Sequence, residues 1–389
     1  MRKELMVLIG GLLVLGLLIV LFKPNAEQNV PQEEGANIQK TLSFSLPTGF
    51  EATLYSGDVP GVRVITRDSK TTIVASLTSE GKVVALPNSD FDQIADRVVT
   101  VLEGLNHPHG VAFIGDTLYV AEEGAVKSYT YNPDTFTATY IETLTTLPTG
   151  DGHSTRSLMV WPDNSKLLVS AGSSCNVCHE EDPRRAAILS INLATKEVTP
   201  FAKGLRNTVF MALHPVTGDI WGTEMGRDWL GDDLPPEEIN ILKQDGNYGW
   251  PICYGKNIHD TEFDKNTYIR NPCMTPFETP SHIDMPAHSA PLGIAFVPEE
   301  GWPEEWWYDA LVAYHGSWNR STPTGYKIVR IPLNAQGIPS SAPQDFMTGF
   351  TTENDVIGRP VSLMIEPGGI LWVSDDKAGA IYRITRIGE

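Results

Sequence analysis

Positive charge is scarce in this chain. Its 389 residues include 29 Lys and Arg against 48 Asp and Glu, a formal net charge of −19. A surface of that sign repels phosphate backbones, which argues against a nucleic-acid partner. Amphipathic helical periodicity is missing too: no apolar i, i+3, i+4 pattern runs long enough for a dominant helix, leaving mostly strand and loop. No His/Cys cluster has the spacing of a zinc site. Cysteine is limited to four residues, and the one long apolar run lies at the N-terminus. What is plentiful is punctuation, 34 glycines and 28 prolines, which divides the chain into short segments joined by tight turns.

The apolar run extends from Met6 to Phe22, 17 residues preceded by Arg2 and Lys3, close to the lower limit for a membrane-spanning helix. Residues 1–23 read as a signal anchor or signal peptide. No small-x-small cleavage pattern follows Phe22 and no cysteine stands there to carry a lipid, which favours an uncleaved anchor. Positive charge before the run places the body outside the cytoplasm, in the periplasm or its equivalent. Residues 24–40, polar and holding Glu27, Glu33, Glu34 and Gly35, read as a flexible linker. The body is then residues 41–389.

Within the body one pattern recurs. Val361-Ser362-Leu363-Met364-Ile365 leads through Glu366-Pro367-Gly368-Gly369 into Ile370-Leu371-Trp372-Val373-Ser374, and then through Asp375-Asp376 to Gly379-Ala380-Ile381-Tyr382-Arg383-Ile384. The same three apolar strands with intervening turns begin at Leu158 and Met211, and further copies start near Val62, His109 and Leu292. Early copies start about 47 residues apart, the period of four-stranded propeller blades. The expected fold is all-β, a six-bladed β-propeller. Phe50 to Tyr55 precede the first repeat and are expected to pair with the last blade, hiding a sheet edge.

In such a ring, residues just before a strand start project towards one shared face. His153 in His153-Ser154-Thr155-Arg156 and the Arg206-Asn207 pair in Gly204-Leu205-Arg206-Asn207 hold such positions, pointing to a redox or hydrolytic site. Arg206, Arg227, Arg320, Arg359 and Lys377 are candidate anion contacts against the acidic background. Arg206 and Arg359 stand out because each immediately precedes a strand. Of the loop histidines, His109 and His315 lie at strand ends, and one or both are expected to line the pocket. Trp302, Trp306 and Trp307 read as packing, and Asp375-Asp376 as a turn pair.

Four cysteines in an exported chain point to two disulfides, and the simplest pairing joins Cys175 with Cys178 and Cys253 with Cys273. Cys175-Asn176-Val177-Cys178-His179 also matches a c-type haem attachment pattern. It falls on a loop between two strands with no helical domain around it, so the disulfide is preferred.

Gly172-Ser173-Ser174-Cys175-Asn176-Val177-Cys178, followed by Asp182-Pro183-Arg184-Arg185-Ala186-Ala187-Ile188, resembles the glucose/sorbosone dehydrogenase family, in particular its L-sorbosone dehydrogenase-like branch. Asn247-Tyr248-Gly249-Trp250-Pro251, His315-Gly316-Ser317-Trp318-Asn319-Arg320-Ser321 and Gly358-Arg359-Pro360 extend the likeness over nearly the whole body. The resemblance implies pyrroloquinoline quinone (PQQ) held with calcium, and oxidation of an aldose or related alcohol or aldehyde. It casts His153 as the base and Arg206 as the residue over the quinone, with Asn207 beside it. Arg359 would pair with cofactor carboxylates, and Trp318 and Arg320 would stack and pair near them. The backbone carbonyls of Gly226 and Arg227 would face calcium, although soluble glucose dehydrogenases carry Gly-Pro at that point. An exported, anchored enzyme of this kind would pass electrons to a quinone or cytochrome. Two other classes stay open: a lactonase-type propeller with a calcium held by carboxylates and amides, and a non-catalytic binding module.

Overall fold

The computed structural model describes residues 44–387; the anchor and linker expected for residues 1–40 lie outside them. Six sheets of four or more strands follow one another along the chain. Blade 1 contains Val62–Arg67, Ile73–Leu77, Lys82–Leu86 and Val99–Leu102. Blade 2 runs from Gly110–Ile114 to Thr137–Thr146, and blade 3 from Leu158–Val160 to Val198–Lys203. Blade 4 opens with Thr208–Leu213 and closes with Ile283–Met285. Blade 5 spans Pro291–Phe296 to Gln344–Met347, and blade 6 opens with Pro360–Ile365. The first strands of successive blades touch one another in sequence and the sixth touches the first, so they form the inner ring of a six-bladed β-propeller. Among the described residues the sole helix is a 3₁₀ turn, Glu304–Trp306.

Each blade is an antiparallel meander whose apolar residues pack against the next blade. The strand Ile73–Leu77 is buried along its whole length, as expected for a strand covered on both faces. The inner strands approach closely enough to restrict residue choice. A Cβ on Gly110, at the start of blade 2, would lie 2.6 Å from the carbonyl oxygen of Arg156, so only glycine fits there.

The ring closes as the repeat pattern predicts. Phe50–Ser56 pairs antiparallel with Ala380–Arg386, Phe50 opposite Arg386 and Leu54 opposite Tyr382, and supplies the outer strand of blade 6. Phe50 anchors the seam: its ring lies parallel to that of Trp306 with centroids 5.5 Å apart, and 4.9 Å from Trp302. Trp302 is buried, so these tryptophans pack the core as their sequence context indicated. Both disulfides form, Cys175–Cys178 with Cα atoms 6.2 Å apart and Cys253–Cys273 with 5.7 Å.

Meanders of equal hand around one axis put two sets of loops on one face: those entering each inner strand, and those joining the second strand to the third. His153, Arg206 and Arg359 lie in the first set; residues 172–186, 225–236, 315–326 and Asp376 lie in the second.

Candidate active site

Two polar clusters occupy this face. The first is built around Gly172, which follows the second strand of blade 3, Lys166–Ala171. A Cβ there would fall 2.7 Å from Asn207 Oδ1 and 2.7 Å from His153 Cβ; glycine is what lets these two side chains flank one spot. The His153 carbonyl is held by Arg156, whose NH1 donates to it at 2.8 Å. The imidazole Nδ1 lies 3.1 Å from the Ser173 carbonyl and 3.1 Å from Ser173 Oγ. Ser173 Oγ donates its own proton to the Cys175 carbonyl at 2.6 Å, so it meets Nδ1 as an acceptor. Two acceptors facing Nδ1 fix the proton there and leave Nε2 with its lone pair. Burial, reinforced by the Arg206 charge, lowers the His153 pKa to about 3, so the ring is neutral near neutral pH.

Arg206 is buried and fully engaged. Its Nε donates to the Asn176 carbonyl (2.9 Å), NH2 to Asn176 Oδ1 (2.9 Å) and to Asp228 Oδ2 (3.1 Å), and NH1 to the Gly226 carbonyl (2.8 Å). Burial pulls this guanidinium below its ordinary pKa while Asp228 opposes the shift. Next to it, the Asn207 amide N–H donates to Glu224 Oε1 at 2.6 Å, whereas buried Asn207 Oδ1 has no partner among the described residues. An orphaned acceptor beside His153 is a place for an incoming hydroxyl or N–H.

The second cluster joins blades 5, 6 and 1. His315 Nε2 donates to Asp376 (3.0 Å), and Asp376 Oδ2 accepts Arg63 NH1 at 2.7 Å. Arg359 NH1 lies 3.4 Å from His315 Nδ1 and 3.3 Å from the Gly316 carbonyl, with its guanidinium 5.1 Å from the Tyr326 ring centre. Burial lowers the His315 pKa against the pull of Asp376. Asp376 is brought to about 2, the His315 and Arg63 contacts outweighing its burial. Segment 315–320 bridges the clusters: Asn319 Nδ2 donates to Asp228 Oδ1 at 2.9 Å.

The other residues expected at the site have these surroundings. His109 is fully buried, with its Nδ1 3.3 Å from Ser157 Oγ, its ring 5.7 Å from that of Phe210 and its Nε2 without a partner among the described residues. Arg320 points to the rim, where NH2 pairs with Asp233 at 2.8 Å and NH1 donates to the Ala287 carbonyl. The Arg227 side chain pairs with buried Asp260 at 3.0 Å. The Gly226 carbonyl already accepts from a guanidinium, and a calcium ion on that oxygen would face a second positive charge at close range, so this arrangement does not fit the metal. Trp318 is 67% exposed at the rim, its ring 5.3 Å from that of Trp229, which is 69% exposed. Of the cations singled out from the sequence, Arg206, Arg227 and Arg320 are ion-paired, and Arg359 has no acidic partner among the described residues.

Arg63, Asp376, Asn176, Ser173 and Asp228 complete the site and were not among the expected site residues. Arg63 sits inside a strand, and Asp376 follows Asp375, which does serve the turn by accepting the Arg359 and Ala378 amides at 2.8 Å each.

Residues 44–387 match the TrAA12-like family. A protein of Borreliella burgdorferi described as uncharacterized is 31% identical over 362 residues, 88% of this chain and 91% of its own length. A pyrroloquinoline quinone-dependent sugar dehydrogenase of Hypocrea jecorina is 27% identical over 439 residues, 95% of each chain. Among solved structures, the iodide structure of a Trichoderma reesei member of Carbohydrate-Active Enzymes Family AA12 superposes with a TM-score of 0.77. It shows 26% identity and covers 89% of this chain and 98% of its own.

Proposed function

Because the chain belongs to the TrAA12-like family, we propose that it is a PQQ-dependent sugar dehydrogenase oxidising an aldose or a related alcohol or aldehyde, sorbosone-like compounds included. The relative named as a PQQ-dependent sugar dehydrogenase, matched over 95% of both chains, supports the reaction class. The observation that carries the reading is His153: neutral, with Nδ1 tied to Ser173 and Nε2 left to accept a proton beside the orphaned Asn207 Oδ1.

The residues fit a carboxylate-bearing cofactor. Arg359 has no acidic partner among the described residues, in a protein of net charge −19, and a guanidinium without one offers a carboxylate two parallel donors. Arg63 and Arg206 add positive charge on the same face. When bound, the quinone supplies the two-electron acceptor. This chain's residues do the rest. Asn207 Oδ1 accepts from and orients a substrate hydroxyl, His153 Nε2 takes its proton, and Arg206 holds positive charge where negative charge grows. A base whose conjugate acid has a pKa of about 3 is always in its accepting form near neutrality. A carboxylate-bearing cofactor held beside His153 would favour the protonated ring and so raise that value. No step is assigned to calcium. The N-terminal run would tether the enzyme to the membrane outside the cytoplasm, with electrons leaving to a quinone or cytochrome.

The test is reconstitution. Purified protein titrated with PQQ should reduce a dye with aldoses or sorbosone-like substrates, and His153→Ala should lose on the order of 100- to 10,000-fold in kcat while its melting temperature holds. Near-normal turnover in that variant would remove His153 as base. Lactone hydrolysis without any dye reduction would favour the hydrolase reading.

A further inference from the structure

Both sides of the His153/Arg206 cluster are fastened to one short covalent ring. Asn176 lies in the two-residue span between the bonded Cys175 and Cys178. Its carbonyl and Oδ1 accept Arg206 Nε and NH2 at 2.9 Å each; the same Oδ1 accepts the Asp228 amide N–H at 2.8 Å, and its Nδ2 donates to the Asp228 carbonyl at 3.1 Å. The Cys175 carbonyl receives the Ser173 hydroxyl proton at 2.6 Å, and that donation is what turns Ser173 Oγ into an acceptor for His153 Nδ1. Residues 172–186 contain no strand or helix; the segment's ends are pinned by the Ser173 N–H on the Arg206 carbonyl at 2.7 Å and the Leu205 N–H on the Ala186 carbonyl at 3.0 Å, and the stretch between them has no regular backbone ladder.

We infer that the Cys175–Cys178 ring is the positioning device of the site, setting the His153 tautomer through Ser173 and the Arg206 orientation through Asn176, and that a dithiol reductant releases both. This rests on the dehydrogenase reading for its effect on turnover, though not for its effect on the two side chains. Cys175 and Cys178 are partly exposed, whereas Cys253 and Cys273 are 6% and 1% exposed, so a small dithiol meets the first bridge and not the second. In the exchange, a dithiol thiolate attacks one sulfur, its second thiol resolves the mixed disulfide, and the cysteines take up two electrons and two protons while the dithiol closes as a cyclic disulfide. A ring this short removes little chain entropy from the unfolded state, so the fold should survive its opening.

Dithiothreitol is added to the protein, thiols are counted, and the ¹⁵N-labelled His153 imidazole and Arg206 Nε are followed by NMR without cofactor; dye reduction is measured after reconstitution. Release of two thiols should shift His153 from a pure Nδ1–H form to a mixture of tautomers and broaden Arg206 Nε. It should lower kcat at least tenfold at little change in melting temperature, with recovery on reoxidation. Cys175→Ser/Cys178→Ser should match the reduced protein, and it decides the matter if dithiothreitol releases no thiols. Asn176→Ala should disturb Arg206 and leave the His153 tautomer in place, a split that general unfolding would not produce. If the open ring leaves both resonances unchanged, the inference is wrong, whatever the activity. A wild type inactive with PQQ overturns the dehydrogenase reading and leaves the resonance arm intact.

Discussion

Arg359 and Arg206 occupy equivalent places before inner strands yet differ in what they lack. Arg206 spends all three guanidinium nitrogens on protein acceptors, so it arrives at the reaction already oriented. Arg359 spends one nitrogen on long contacts and keeps the others for a ligand. Hydrogen bonds to charged groups are worth about 1.5–3 kcal/mol, so Arg359→Ala should weaken PQQ binding on the order of 10- to 100-fold. Added salt should weaken the wild type more than the variant. Spectroscopic titration checks this, and equal titrations would place Arg359 outside the pocket. The sequence offered Arg359, Arg206 and His153 because strand starts are local features. It did not offer Arg63 and Asp376, whose contact spans 313 residues, because no local pattern records which blade 1 strand meets which blade 6 turn. His109 has the same strand-start signature as His153, yet its ring is fully buried against Ser157 and Phe210; the surroundings of a side chain at a strand start are set by the neighbouring blades.

At the level of strands and loops, the blades were legible because each is a local meander with its own turns. The loops were less so. Residues 225–236 carry the Gly226 peptide, whose N–H donates to Glu237 Oε2 at 2.6 Å while its carbonyl takes Arg206 NH1, and both grips come from outside the loop's own sequence. The closing strand is the element most open to test. Phe50 inserts its ring among Trp302, Trp306 and Phe346, and truncating such a buried aromatic costs about 3–5 kcal/mol. Phe50→Ala should therefore lower the melting temperature clearly while leaving kcat at 25 °C unchanged, since the outer strand of blade 6 does not reach the site. A variant as stable as wild type would mean that the seam is held by backbone pairing alone.

For the whole molecule, buried acids and buried histidines oppose one another across pH. Glu224 and Glu237 are raised to about 8 and Glu238 to about 7, in each case by burial. Between their unfolded value of 4.5 and these folded values the native state binds the extra protons, so stability falls as pH rises. His153, His109 and His315 are lowered, burial first. Below 6.5 the unfolded state binds the extra protons and stability falls as pH drops. Through these six groups stability should therefore peak at about pH 5.5, midway between the two unfolded values, and decline from 6.5 to 8 as the glutamates titrate. Glu224→Gln, which cannot titrate, should flatten that decline in melting-temperature measurements. A melting temperature that climbs from pH 6.5 to 8 would contradict these shifts.

The seam also fixes the order of events during biogenesis. Among the propeller strands Phe50–Ser56 is made first and its partner Ala380–Arg386 last. The earliest strand must therefore wait, unpaired, while five blades form. Native contacts this distant in sequence slow folding, because the entropy of loop closure comes due before the contact forms. Until the final strand arrives, both the waiting strand and blade 6 present open edges, the period in which edge-to-edge association threatens. Arrival of that last strand, more than completion of any earlier blade, is thus the moment at which this protein commits to its native ring.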